Sequence, residues 1–211
     1  MKEKKKVIQP EGNFYDKYGS QNPIVRRLMK GFFKALEEMV DEVPASLQCI
    51  LEAGCGEGHV TAFLNEKFGS ESSIDAFDIS EKVIEEAKRQ NENITFWVGD
   101  IYHISRASRE KYDLLVCSEV LEHLEEPGRA LKELLRVGRG YLILSVPREP
   151  IWRFLNMIRG KYIGDFGNTP GHIQHWSAGK FKRFVRENGG NIIKVKNPLP
   201  WTMVLIENKN A

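Results

Sequence analysis

Cysteine is scarce in this chain. Cys49, Cys55 and Cys117 are the three among 211 residues, and no two form a C-x-x-C pair. An odd count set in apolar runs, without paired spacing, points to buried thiols in a reducing compartment and away from a disulfide framework. Charge of one sign is also lacking. The formal net charge is +2, which gives no bulk electrostatic case for a nucleic-acid binder. The basic run Lys2–Lys6 reads as a solvated end. No apolar run approaches the roughly 20 residues that span a bilayer, and the charged N-terminus lacks the apolar segment of a signal peptide. The expectation is a cytoplasmic protein without a membrane span. Repeats and low-complexity stretches are missing too, so residues 1–211 are expected to form a single domain with a sizeable core.

What is present is an alternation. Residues 24–43 carry Ile24, Leu28, Phe32, Leu36, Met39, Val40 and Val43 at helical spacing, stopped by Pro44. Then come a strand (CILEAG), a helix (HVTAFLNEKF), a strand (SIDAFDI), and a helix opened by Ser80 as N-cap (SEKVIEEAKRQN). Strands ITFWVGD and YDLLVCSE follow, then the helix GRALKELLRVG and the strand GYLILSVP. Repeated strand–helix alternation predicts a parallel sheet with helices on both faces, doubly wound through right-handed crossovers. Beyond Pro147 the spacing predicts a helix from Pro150, a long loop over 161–176, a helix from Ser177, and two strands paired antiparallel through the turn PLPW. A loop that long is commonly functional. The organisation expected is an N-terminal helical lid (1–46), a core (47–147), an acceptor-side segment (148–190) and a strand pair (191–211).

The stretch LEAGCGEG joins the first strand to a helix. Gly54, Gly56 and Gly58 allow a tight turn and close ligand approach, and the helix N-terminus offers N–H groups. The spacing is G-x-G-x-G, not the G-x-G-x-x-G of nicotinamide sites. Glu52 before it would repel a pyrophosphate but suits an ammonium. Asp78 ends the next strand, where a carboxylate accepts from ribose hydroxyls. Gly99 and Asp100 end the third strand, with Asp100 placed for an adenine amine or as a helix N-cap, and Ile79 and Ile101 as walls for the ring. Together these residues suit an adenosine with a cationic tail.

ILEAGCGEG, FDIS, VGDI and YDLLVCSEVLEHL together resemble the motifs of class I S-adenosylmethionine-dependent methyltransferases, over about Cys49–Pro147. The resemblance implies a Rossmann-like α/β fold, a doubly wound seven-stranded sheet with its last strand antiparallel. It implies S-adenosylmethionine as cofactor. Glu52, Ala53, Gly54, Cys55 and Gly56 would lie along the cofactor, Asp78 and Ile79 at its ribose, Gly99, Asp100 and Ile101 at adenine, and Ser118 and Glu119 on the methionine side. Tyr15 and Tyr18 fall where such enzymes place a lid. The Asn/Asp-Pro-Pro-aromatic tetrapeptide of nucleobase amine methyltransferases is absent, as is the Pro-Cys pair of cytosine C5 enzymes.

In its place stands CSEVLEHLEEP. On a helix Glu119, Glu122 and His123 fall at i, i+3 and i+4 and share one face. SEVLEHL is similar to ubiquinone-type O-methyltransferases, and that resemblance implies a small-molecule acceptor methylated on oxygen. Some relatives hold a divalent metal with Glu-x-x-Glu-His and one later histidine. The set here would be Glu119, Glu122, His123 and His175, with His172 as second choice, holding magnesium, manganese or zinc. Without metal, His123 is a candidate general base, with Glu122 beside it. His59 and His103 have no partner in the pattern and read as structural or exposed. Trp152, Phe154, Leu155, Met157, Ile158, Tyr162 and Phe166 predict an apolar, aromatic acceptor pocket, with Arg148, Arg153 and Arg159 as candidates to meet an anionic group. The alternatives are an RNA 2′-O-methyltransferase, a non-catalytic cofactor-binding subunit and, disfavoured by the glycine spacing, a nicotinamide oxidoreductase.

Overall fold

A computed structural model describes residues 18–91, 93–107, 111–158, 160, 162–169 and 171–208; Tyr15 and Arg159 lie outside them. The strands are β1 (Cys49–Ala53), β2 (Ser73–Asp78), β3 (Thr95–Val98), β4 (Tyr112–Ser118), β5 (Gly138–Pro147), β6 (Asn191–Lys196) and β7 (Trp201–Glu207). They form one sheet in the order β3-β2-β1-β4-β5-β7-β6. β1 to β5 pair in parallel, and β7 runs antiparallel to both β5 and β6. The expected Rossmann-like sheet is therefore present, with its last strand reversed. The helices are α1 (Pro23–Val40), α2 (His59–Phe68), α3 (Glu81–Gln90), α4 (Ile104–Ala107), α5 (Pro127–Val137), α6 (Ile151–Ile158) and α7 (Ala178–Glu187).

Strand alternation sorts the core into two layers. Leu114 and Val116 of β4, Ile143 of β5 and Leu205 of β7 face the layer that contains Phe32, Leu36 and Met39 of α1 and Leu64 of α2. Leu115, Leu144 and Val204 face the opposite layer, where Leu131 and Leu134 of α5 and Phe181 and Val185 of α7 pack. The central strands are apolar on both faces because helices cover both.

α1 starts and stops earlier than the apolar spacing implies. The Asn22 side chain accepts from the Ile24 N–H, Pro23 takes the first turn, and the helix ends at Val40. Val43 is buried from the following turn. Ser80 is the N-cap residue of α3 but makes no side-chain cap bond. Its N–H donates instead to Asp78 Oδ1 at 3.0 Å.

The 161–176 segment is held by side chains of α6. Asn156 Nδ2 donates to the Gly167 carbonyl at 2.8 Å and Trp152 Nε1 donates to Thr169 Oγ1 at 2.9 Å. Arg153 Nε donates to the Phe166 carbonyl at 3.0 Å. Chain order reverses between β1 and β4, which opens a crevice at the carboxyl ends of these strands, the usual ligand position in such sheets.

Candidate active site

The glycine loop is fixed from β2. The N–H groups of Gly54 and Cys55 both donate to the Phe77 carbonyl, and the Gly56 N–H donates to Asp78 Oδ2 at 3.0 Å. Gly54 and Gly56 have φ of +74° and +52°, where an L side chain is strained. A Cβ on Gly54 would also lie 2.3 Å from Val120 Cγ2, whereas one on Gly56 would meet nothing within 4 Å. The two glycines thus serve different needs: one lets the β4 loop pack against the turn, the other faces open cavity. Gly54→Ala is expected to destabilise the fold by about 1–3 kcal/mol, read as a lower Tm.

Glu52 is 2% exposed, and its carboxylate accepts from the Thr61 hydroxyl of α2. Burial is the main cause that pushes its carboxyl up to about 8, partly offset by the Thr61 bond. Burial also raises Asp78, against the Ser80 and Gly56 N–H groups that favour its charge. Tyr18 stacks on His59 with ring centroids 4.0 Å apart, and both line the crevice. His59 thus has a partner that the sequence pattern did not show. Asp100 caps a 3-10 turn at Ile101–His103: Oδ1 accepts from the Tyr102 N–H, and Oδ2 lies 2.9 Å from His103 Nδ1. Asp100 is therefore an N-cap, as one of its two sequence readings had it, and it also faces the crevice with Gly99, Ile79 and Ile101.

The segment after β4 is not the α-helix on which Glu119, Glu122 and His123 would share a face. Glu119 takes φ +57°, Leu121–His123 form one 3-10 turn, and α5 begins only at Pro127. The Glu119 carboxylate accepts from the Trp201 indole N–H. Glu122, His123 and His172 come together instead, with ligand atoms all within 4.8 Å of one another. His175 goes elsewhere: its Nδ1 is 3.7 Å from Glu149, and burial lowers its pKa. The predicted four-residue set is thus replaced by three residues that include His172. The cause is local. The Ile173 and Gln174 N–H groups both donate to the Glu122 carbonyl, which folds the loop so that His172 faces inward.

His123 Nδ1 lies 3.0 Å from the Gly171 carbonyl oxygen. A carbonyl only accepts, so Nδ1 carries the proton and Nε2 the basic lone pair. The His172 ring meets His123 edge-on at 4.8 Å and stacks on Trp152 at 5.9 Å.

One cavity of about 770 Å³ joins the two groups of residues. It runs from Tyr18, Glu52 and the glycine loop past Ser118 and Glu119 to Glu122, His123 and His172. Its far wall is apolar, with Val25, Leu28, Trp152 and Leu155. Arg148 and Arg153 are not among the described lining residues; the Arg153 guanidinium is spent on the Phe166 and Asp165 carbonyls. Phe154 and Phe166 also miss the cavity, at 60% and 75% exposed. Trp201 lines it and was not anticipated, because the strand was expected to begin one residue later.

A family profile described as "Methyltransferase domain" matches residues 45–189, more than half of the chain. The ubiquinone biosynthesis O-methyltransferase of Coxiella burnetii (strain Dugway 5J108-111) is 32% identical over 119 residues, 53% of this chain and 48% of that protein. A malonyl-[acyl-carrier protein] O-methyltransferase of Anoxybacillus flavithermus is 32% identical over 102 residues, 46% of this chain and 38% of the relative. The matches thus span about half or less of these relatives' own lengths. The crystal structure of magnesium protoporphyrin IX methyltransferase from Synechocystis PCC 6803 with bound S-adenosylhomocysteine superposes with a TM-score of 0.67 at 20% identity, covering 90% of each chain. With the glycine loop, the reversed last strand and the crevice between β1 and β4, these matches make the chain a member of the class I S-adenosylmethionine-dependent methyltransferase family.

Proposed function

We propose that the chain methylates a small apolar or aromatic acceptor on oxygen, with S-adenosylmethionine as donor. The observation that carries this reading is the single cavity joining the glycine loop to the Glu122–His123–His172 cluster. S-adenosylmethionine, when bound, supplies a methyl group on a sulfonium, already activated for in-line displacement. The residues of the loop half fit it. Gly56 leaves open space, and Asp78 would meet the ribose hydroxyls and Glu52 the cationic tail.

Protein groups then have two tasks: alignment and proton removal. Trp152, Leu155, Val25 and Leu28 hold an apolar body and exclude water. The Nε2 of His123 takes the hydroxyl proton, with the Glu122 carboxylate beside it to stabilise the imidazolium.

The same cluster also fits a divalent ion such as magnesium, manganese or zinc, since one carboxylate and two imidazoles are within closing distance. Gly171 fixes the His123 tautomer as metal-bound histidines require. A bound ion would act as a Lewis acid on the acceptor oxygen.

Calorimetry with S-adenosylhomocysteine and NAD tests the donor. Tight binding of the first is expected, and binding of NAD alone would overturn the reading. A radiolabel screen of phenols, quinones, lipids and RNA tests the acceptor, and transfer to RNA alone would reject a small-molecule acceptor. Chelation followed by manganese or zinc tests the ion. Turnover unchanged by chelation is expected for His123 as a metal-free base; loss on chelation and recovery with the metal in the wild type, with His172→Ala showing neither, would assign Nε2 to an ion and remove His123 as the base.

A further inference from the structure

Trp201 opens β7, the strand that runs against its neighbours. Its first residue therefore stands at the sheet edge where β1 and β4 finish, opposite Pro147 of β5. Trp201 is 2% exposed, and its indole N–H donates to the Glu119 carboxylate. Glu119 holds a left-handed backbone, φ +57°, which persists in a non-glycine residue only where its surroundings dictate it. Two bonds supply that constraint: its own N–H donates to the Ser145 carbonyl at 3.0 Å, and the indole takes its carboxylate.

The ring of Trp201 is held from both sides. Phe32 of α1 meets it edge-on at 5.1 Å, and Trp152 of α6 lies 5.9 Å away. Trp152 in turn stacks on His172, which meets His123. A continuous run of rings therefore links His123 at one part of the cavity wall to Glu119 at another.

We propose that Trp201 is a positioning residue for methyl transfer. Its N–H aims the Glu119 carboxylate at the junction of the donor and acceptor halves, and its ring, through Trp152, keeps that carboxylate in register with His172 and His123. The inference rests on the methyltransferase reading above. One carboxylate oxygen bonded to the indole fixes the direction of the other. The carboxylate so held lines the cavity beside the acceptor and, once the hydroxyl proton has gone to His123, limits where the acceptor oxygen can sit to the line of the methyl group. In-line displacement depends on that direction, and a misplacement of about 1 Å costs up to about 100-fold in rate.

Trp201→Phe keeps a ring and deletes the donor. With the best acceptor from the screen, it is expected to lower kcat about tenfold or more, with affinity for S-adenosylhomocysteine within about twofold of wild type. Glu119→Gln is expected to lower kcat by a similar factor, and the double variant to be no slower than Glu119→Gln alone, because the two side chains act as one unit. The Trp201 indole proton resonance, identified by its loss in Trp201→Phe, is expected to move in Glu119→Gln; this readout needs no acceptor. Wild-type kcat in Trp201→Phe, losses that multiply in the double variant, or an indole resonance unmoved by Glu119→Gln would overturn the inference. Wild-type protein that fails to bind S-adenosylhomocysteine would instead overturn the methyltransferase reading.

Discussion

His123→Ala is expected to reduce kcat by about 10²–10⁴-fold while leaving affinity for S-adenosylhomocysteine within about threefold. The separation follows from position. His123 lies in the 3-10 turn after β4, with Nδ1 fixed on Gly171, and Nε2 is the nitrogen able to take a proton. The glycine-loop part of the cavity, where the donor is proposed to bind, is held by hydrogen bonds between the loop, Phe77 and Asp78 that do not pass through His123. Methyl-transfer kinetics beside calorimetry check the split. A matched loss of binding would show that the 3-10 turn supports the cofactor loop through Val120, whose methyls sit against Gly54. His123→Gln sharpens the test. It keeps a donor towards the Gly171 carbonyl but supplies no base, so it should hold the loop while remaining slow.

That Glu52, the glycine loop and Asp78 meet at one crevice was legible in the sequence because the determinants are short-range. Gly54, Glu52 and Asp78 sit at strand ends that alternation alone locates, and parallel strands bring those ends to one edge. The acceptor half depends on contacts between distant segments. Whether His172 or His175 turns inward is decided by two N–H groups donating to the Glu122 carbonyl, across some 50 residues, and no periodicity reports that. Reading Glu119, Glu122 and His123 as a helical face failed because Glu119 adopts a left-handed backbone, a conformation few non-glycine residues take. Arg153 looked like an anion ligand but is consumed in holding the loop at Phe166. Trp201 was missed because PLPW reads as a turn, although the reversed last strand was expected. An antiparallel last strand starts, rather than ends, at the ligand edge, so its first residue belongs to the site.

Affinity for S-adenosylmethionine is expected to rise with pH up to about 8, by as much as tenfold per unit, or about 50-fold between pH 6 and 8. Without ligand, Glu52 stays protonated to about 8 because burial disfavours its charge. The donor carries a net positive charge and favours the carboxylate, so below that pH each binding event must expel a proton. Asp78, also raised by burial, acts in the same direction. Calorimetry in buffers of different ionisation enthalpy counts the protons released; a count near one at pH 6.5 is expected, and zero would sink the idea. Glu52→Gln should bind more weakly at pH 8 with a flattened profile. The sign for folding is the reverse. A carboxyl whose folded pKa lies above its unfolded one contributes stability at acid pH that is lost as pH rises towards 8, so the Tm of the ligand-free protein should decline over that window through this group. Glu52→Gln should lack that decline, while added S-adenosylmethionine should raise the Tm of the wild type most at the alkaline end.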